Sequence, residues 1–441
     1  MTSQDSTQDA LNSATRRALL RLLPFLILMY LIAFIDRSNI GYVRSALQAD
    51  AGISDAAYAF GAGIFFLSYA LFEIPSNLML YKVGAPFWLA RIMITWGIIS
   101  AATAFVSGTT SFYIVRTFLG AAEAGFFPGV ILYLTLWFPA NVRARVLGTF
   151  YFGLPLALVL GGPMSGLLLD ANPPLGMRAW QWMFLVEGLL ACVVGAIAYF
   201  YLTASPSQAT WLTKPERDAL VQKLADENAI KAVHGAGGLR KVFTNPKLLA
   251  FCAAYFTVQV AVYGVVFYLP TRIAALMGTQ VGLTVGLLTA IPWLVAIAAT
   301  WAITRAADRS QKHRVFAACM LAMSGVAIIC TILSSDTTLV LIAFCFAAAG
   351  FVSVQPLFWT LPTTYFGGVA AAGGIAMINS IGNIGGFVAP NLKTLAEQAF
   401  NNPTAGMICL GVVALLGSVM MLALARIGNR SSQSLPVVHA V

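Results

Sequence analysis

Long apolar runs, each about as long as a bilayer is thick, alternate along this chain with short polar breaks. A helix rises about 1.5 Å per residue and needs about 20 mostly apolar residues to cross the hydrocarbon core. At that length the pattern predicts twelve spans, over 19–43, 57–80, 88–107, 111–137, 146–169, 180–202, 248–271, 281–303, 315–334, 338–359, 369–394 and 404–426. One break is much longer than the others. It reads SPSQATWLTKPERDALVQKLADENAIKAVHGAGGLRKVFTNPK and predicts a short amphipathic helix after Pro215. The expected organisation is a tail over 1–18, a six-helix bundle over 19–202, a central loop over 203–247, a second six-helix bundle over 248–426 and a tail over 427–441.

Composition excludes a soluble alternative. Hydrophobic residues make up 59% of the chain and charged residues only 10%, whereas a soluble domain carries about 25% charged residues. The predicted fold class is an all-α polytopic membrane protein. The first eighteen residues are polar and lack the basic start, short apolar core and cleavage site of a signal peptide.

Charge sets the orientation. Twenty of the 26 Lys and Arg residues fall at the N-terminus or in breaks on its side, among them Arg16, Arg17, Arg21, Arg143, Arg145, Arg305 and Arg314. Four (Arg44, Arg178, Arg272, Lys393) fall on the other side, and Arg37 and Arg116 fall inside spans. Basic residues stay cytoplasmic, so both termini are expected there, in a plasma membrane. The same asymmetry accounts for the net charge of +10 without a nucleic-acid partner. The six cysteines lie in or beside apolar segments with no CxxC and read as small apolar residues. His234, His313 and His439 all lie outside the spans and no nucleophile or metal constellation is visible, so neither an enzyme nor a cofactor is expected.

A weak internal repeat joins the halves. Aligning Asp308 of TRAADRSQKHR with Tyr81 of NLMLYKVGAPF gives an offset of 227 residues. Matching Gly161-Gly162 of LGGPMSG with Gly385-Gly386 of NIGGFVAP gives 224. Duplicated halves predict a transporter, functional as a monomer, with substrate held between them near mid-membrane. The paired glycines read first as packing residues that let helices approach closely.

Charge inside a span is costly, about 2.5–3.5 kcal/mol per residue on insertion scales, so each instance needs a reason. The candidates are Asp36, Arg37, Glu73, Arg116, Glu123 and Glu187. Arg116 and Glu123 are seven residues apart, which puts them on one helix face about 10 Å apart. Asp36 and Arg37 are adjacent and point about 100° apart, so each needs a partner on another helix. A four-member network is expected, with the bland alternative that these residues only hold helices together. A guanidinium grips a carboxylate through two parallel hydrogen bonds and stays charged, which makes Arg37 the expected anion anchor. Arg116 either touches substrate or sets the acidity of the nearby carboxyls. Asp36 and Glu123 are the expected proton carriers, because the proton affinity of a buried carboxyl answers to nearby arginine. Glu73 and Glu187 read first as packing or gating residues, with a proton role as the lesser alternative, and Tyr69, one turn before Glu73, as a substrate contact. The second half has almost no charge in its spans; its polar candidates are Gln259, Tyr263, Trp359, Asn379 and Asn383. Trp359 reads equally as an interfacial anchor.

Several of these stretches resemble one family. DRSNIG in the first span, RTFLGAAEAGFFPGVILYLTLWFP in the fourth, WLTKPER in the central loop and DRSQKHR after the eighth are together similar to the anion:cation symporters of the major facilitator superfamily. Tyr81 departs from the pattern, standing where the loop after the second span would carry an acid. The chain resembles bacterial permeases for tartrate-like acids, phthalate and hydroxyphenylacetate. The resemblance implies a twelve-helix fold in two pseudo-symmetric bundles, proton roles for Asp36 and Glu123, and anion contact by Arg37. It also places Gln259, Trp359 and Asn379 along a substrate site and supports Tyr69 as a contact. The expected function is import of a small carboxylate by proton symport and alternating access. An anion exchanger is the alternative, since GGPMSG loosely resembles an antiporter motif, and a transporter-like sensor is a third reading. The neutral second half favours one carboxylate on a hydroxylated or aromatic body, and leaves room for a second cation from a loop.

Overall fold

The computed structural model describes residues 3–234, 245–365 and 368–429. The end of the central loop, residues 366–367 and the C-terminal tail with Arg430 and His439 lie outside the described residues. Every regular element among the described residues is helical. The main helices of the first half are α1 (Ser3–Ser38), α2 (Arg44–Ala51), α3 (Asp55–Val83), α4 (Ala85–Ala102), α5 (Thr109–Glu123), α6 (Phe126–Trp137), α7 (Ala140–Tyr151), α8 (Gly153–Leu169), α9 (Ala179–Tyr201) and α10 (Lys214–His234). The second half has α11 (Pro246–Val266), α12 (Leu269–Met277), α13 (Leu283–Ser310), α14 (His313–Cys330), α15 (Thr337–Tyr365), α16 (Gly368–Ala399) and α17 (Ala405–Asn429).

Eleven helical stretches among the described residues are long and apolar enough to cross a membrane. The 32-residue α16 occupies the place of the remaining expected span. Large apolar side chains point outward along these helices: Leu71 is 72% exposed, Phe200 85% and Trp301 54%. Such a surface suits lipid, where helices satisfy their own backbone hydrogen bonds. The charges go the other way, with Asp36, Arg116, Glu123 and Glu187 all buried.

Two compact units emerge. The first comprises 1–236 with 270–290, and the second 237–269 with 291–441. Within the first, α4 and α9 touch backbone to backbone: a Cβ on Gly97 would sit 2.5 Å from the Gly188 carbonyl oxygen. Small residues allow that approach, as in other membrane helix pairs. The glycine pairs found in the sequence pack in the same way. A Cβ on Gly162 would lie 2.5 Å from the Gly286 carbonyl oxygen, and one on Gly385 2.6 Å from that of Phe256.

One expectation is corrected. The fourth span is not one helix over 111–137, because α5 stops at Glu123 and α6 restarts at Phe126. Gly125 takes a left-handed conformation there (φ +86°), which glycine adopts without steric cost. Helix α1 already begins at Ser3, within the polar stretch before the first span. Its outer turns find a partner in α10. Ser13 donates to Glu216 at 2.6 Å, and Arg17 pairs with the same carboxylate at 3.2 Å. The other Glu216 oxygen accepts from the Thr213 N–H at 2.9 Å, capping the start of α10. Farther along α10, Glu227 accepts from the first N–H of α7, that of Ala140, at 3.0 Å. A carboxylate at a helix N-terminus is well placed against the helix dipole. Trp211 of WLTKPER stacks on Trp137 with centroids 5.4 Å apart. The central-loop helix is thus clasped to the first unit.

Candidate functional site

The polar residues of the first unit gather where α1 loses its regular turn. Asp36 and Arg37 lie in the last turn of α1, and a short 3-10 turn over Asn39–Gly41 follows. Adjacent side chains on a helix diverge, and these two do so into different company. Arg37 pairs with Glu123, the last residue of α5 before the break. Around it stand the rings of Phe34, Phe65 and Tyr69, with centroids 5.0, 5.2 and 5.1 Å from its guanidinium carbon. A guanidinium is weakly hydrated and sits well against aromatic faces, so an aromatic box holds the cation without a water shell.

Asp36 turns toward α4. It accepts from the Ser100 hydroxyl and, at 3.4 Å, from the Asn39 side-chain amide. The same amide donates at 2.9 Å to Glu187 on α9, whose other oxygen accepts from Ser165 of α8 at 2.8 Å. One amide therefore ties two carboxyl groups together. Arg116 does not pair with Glu123. It donates instead to the backbone carbonyl of Gly61 at 3.2 Å, and its guanidinium carbon lies 5.0 Å from the Phe65 ring centroid.

Three buried oxygens in this group have no hydrogen-bond partner among the described residues: Asp36 Oδ2, Asn39 Oδ1 and Glu123 Oε2. Buried acceptors are nearly always satisfied, so each is open to a proton or an incoming donor. The arrangement is an ion pair and a carboxyl pair side by side, with acceptor capacity to spare. Its chemistry is the exchange of one counter-charge for another.

The second unit brings together neutral groups. Gln259 donates to Asn383 at 3.2 Å and accepts from Gln355 at 3.1 Å; the Tyr255 hydroxyl donates to Gln355 at 3.0 Å. Trp359 packs on Tyr255 with ring centroids 4.9 Å apart, so its ring is engaged within this unit. Asn379 lies one turn before Asn383 on α16 and shares its face. Tyr263 packs on Phe267 with ring centroids 5.6 Å apart. Arg37, Tyr69 and Glu123 thus form one set, Asp36 is drawn away from it to Ser100, Asn39 and Glu187, Arg116 lies against Phe65, and Gln259, Trp359 and Asn379 belong to the other unit.

Sequence reasoning missed Asn39, Ser100, Ser165, Tyr255 and Gln355. Asn39 had a signal, since it lies three residues after Asp36 and i, i+3 neighbours share a helix face. Gln355 had one too, four residues before Trp359. Ser100 and Ser165 had none, because a serine in an apolar helix ordinarily bonds to its own backbone.

Relatives carry the same length of chain. An inner membrane transport protein, RhmT of Escherichia coli, is 43% identical over 429 residues, covering 97% of this chain and 99% of its own. A putative tartrate transporter of Agrobacterium vitis is 42% identical, covering 95% and 93%. A putative metabolite transport protein, NicT of Pseudomonas putida, is 37% identical, covering 93% and 94%. Among solved structures, a bacterial homologue of the human lysosomal transporter Spinster superposes with a TM-score of 0.75 at 17% identity, covering 95% of this chain and 98% of that one. The xylose transporter XylE of E. coli gives 0.71 at 15%, covering 92% and 97%. This chain is a multi-pass inner-membrane transporter, not an enzyme, and with residues 26–390 matching the family's model it belongs to the Major Facilitator Superfamily.

Proposed function

We propose that the chain imports a small organic anion, a tartrate-like or related hydroxylated carboxylate, together with protons, as a member of the anion:cation symporters working by alternating access. The observation that carries this reading is the Arg37–Glu123 pair inside its aromatic box. A substrate carboxylate that takes the Arg37 guanidinium replaces Glu123 as its counter-charge. Glu123 is then a buried carboxylate without its cation, and a proton is the smallest group that relieves it. Anion and proton thereby favour each other's binding, and the coupling runs equally in both directions. The names of the Agrobacterium vitis relatives support a tartrate-like substrate, and the neutral set around Gln259, Gln355 and Asn383 suits its hydroxyl groups. Asp36 is the second proton carrier in this reading, Tyr69 and Arg116 flank the anion, and Gln259, Trp359 and Asn379 meet its body. No cofactor is required beyond the coupling proton.

The test is proton uptake on binding. Purified protein in weakly buffered detergent should take up protons when tartrate is added, and Glu123→Gln should bind tartrate while taking up fewer protons than the wild type. Wild-type proton uptake retained in Glu123→Gln would contradict the role given to this residue.

A further inference from the structure

Glu187 is a buried carboxyl of this group that the mechanism above does not use. It is 2% exposed and lies inside a membrane-spanning helix. Both of its oxygens are bonded, yet both donors are neutral: the Ser165 hydroxyl at 2.8 Å and the Asn39 amide at 2.9 Å. No cationic side chain among the described residues lies within ion-pair distance of it. Its titratable neighbours from the chain around α1 are Asp36 and Tyr42, and neither is a cation. Helix α4 faces the cluster with the Ser100 hydroxyl, α8 with Ser165, and α9 itself adds Cys192 on the Asp36 side.

Charge bookkeeping then leaves one group over. Arg37 is matched by Glu123, and Arg116 is the remaining guanidinium that interacts with Asp36. Asp36 and Glu187 share the Asn39 amide, their other donors are the neutral hydroxyls of Ser100 and Ser165, and neither has an ion-pair partner among the described residues. Two like charges on one neutral amide, out of water, cannot both persist, so the pair holds a proton. The partnerless buried oxygens Asp36 Oδ2 and Asn39 Oδ1 belong to the same cluster and offer that proton acceptors.

We infer that Glu187 is a further proton-binding residue of the transport cycle, joined to Asp36 through the side-chain amide of Asn39. This rests on the symport reading above. The Arg37–Glu123 exchange handles one proton against the anion. The Asp36–Asn39–Glu187 cluster handles another, held on one of the two carboxyls while the Asn39 amide donates to the other. The stoichiometry is then at least two protons per anion.

Two measurements on the full-length protein test this. Infrared spectra of the purified protein should contain a protonated-carboxyl band that titrates away as the pH is raised. Glu187→Gln should lack it, and Glu187→Asp should keep it. In proteoliposomes under an imposed proton gradient, Glu187→Gln should lower the steady-state accumulation of radiolabelled tartrate by about tenfold for each unit of pH difference, the loss of one coupled proton. The inference is overturned by a band that survives in Glu187→Gln, by one that does not titrate, by one that sodium ions abolish at constant pH, or by unchanged accumulation in the variant. Wild-type protein that never accumulates tartrate counts against the symport reading instead, and the infrared titration still decides whether Glu187 exchanges a proton.

Discussion

Arg37 combines two properties that are hard to hold together: a full charge in a membrane and availability to a ligand. The rings of Phe34, Phe65 and Tyr69 keep it without water, and Glu123 keeps it neutral as a pair until an anion arrives. A lysine would retain the charge but lose the fork that matches a carboxylate and the plane that lies on the rings. Hydrogen bonds to charged groups contribute about 1.5–3 kcal/mol each, so Arg37→Lys should weaken tartrate binding by about tenfold to a hundredfold in calorimetric titration. Wild-type affinity in that variant would remove Arg37 as the anchor. At this scale the sequence was informative where a charge broke an apolar run, as at Asp36, Arg37, Glu123 and Glu187. It was silent on Ser100, because a hydroxyl costs little in a helix and so leaves no anomaly to notice.

Helices carry these residues into register, and two of their contacts can be tested. Glycine at 188 lets α9 lie on α4 beside Glu187; a Cβ there would meet the Ala101 nitrogen at 2.5 Å. Neither backbone can yield locally, so Gly188→Val should lower stability by about 1–3 kcal/mol, read as a drop in the thermal midpoint in detergent. An unchanged midpoint would mean that the two helices separate freely. The clasp of α10 adds a pH dependence. Burial pushes the Glu216 carboxyl up, but Ser13, the Thr213 N–H and hydroxyl, and Arg17 together outweigh burial and hold it below the usual glutamate range. A carboxyl lowered in the folded state stabilises at pH above its unfolded value, and loses that contribution as the pH falls through the folded one. Amide exchange in α10, corrected for the intrinsic effect of pH, should therefore be faster in Glu216→Gln than in the wild type at neutral pH. The difference should shrink as the pH falls below the ordinary glutamate value of about 4.3 and vanish once the pH has passed the lower, folded-state value. A difference that persists in acid would contradict the clasp. The spans themselves were legible because length and apolarity suffice to define them. The break after Glu123 was not, since AEAGFFPG is apolar enough to pass for helix, and it ends only because Ala124 turns out of helical geometry and Gly125 is left-handed.

For the molecule as a whole, solvent dictates the design. A surface of exposed leucine, phenylalanine and tryptophan faces lipid, and the few charges left in the spans turn inward, where each must be paired, bonded or protonated. Fold class and family were legible from this pattern together with four short motifs, and the match over residues 26–390 agrees. The polar partnerships were less so, because a hydrogen bond between residues 148 positions apart, as between Asn39 and Glu187, leaves no trace in local spacing. The central claim is that downhill proton entry concentrates an organic anion. Its most direct test uses proteoliposomes of the purified protein, empty of anion, with an inward proton gradient and radiolabelled tartrate outside. Accumulation above the external concentration that collapses when a protonophore is added is the predicted result. Uptake that ignores the proton gradient and appears only when the vesicles are preloaded with tartrate would contradict it, and would make the protein an exchanger.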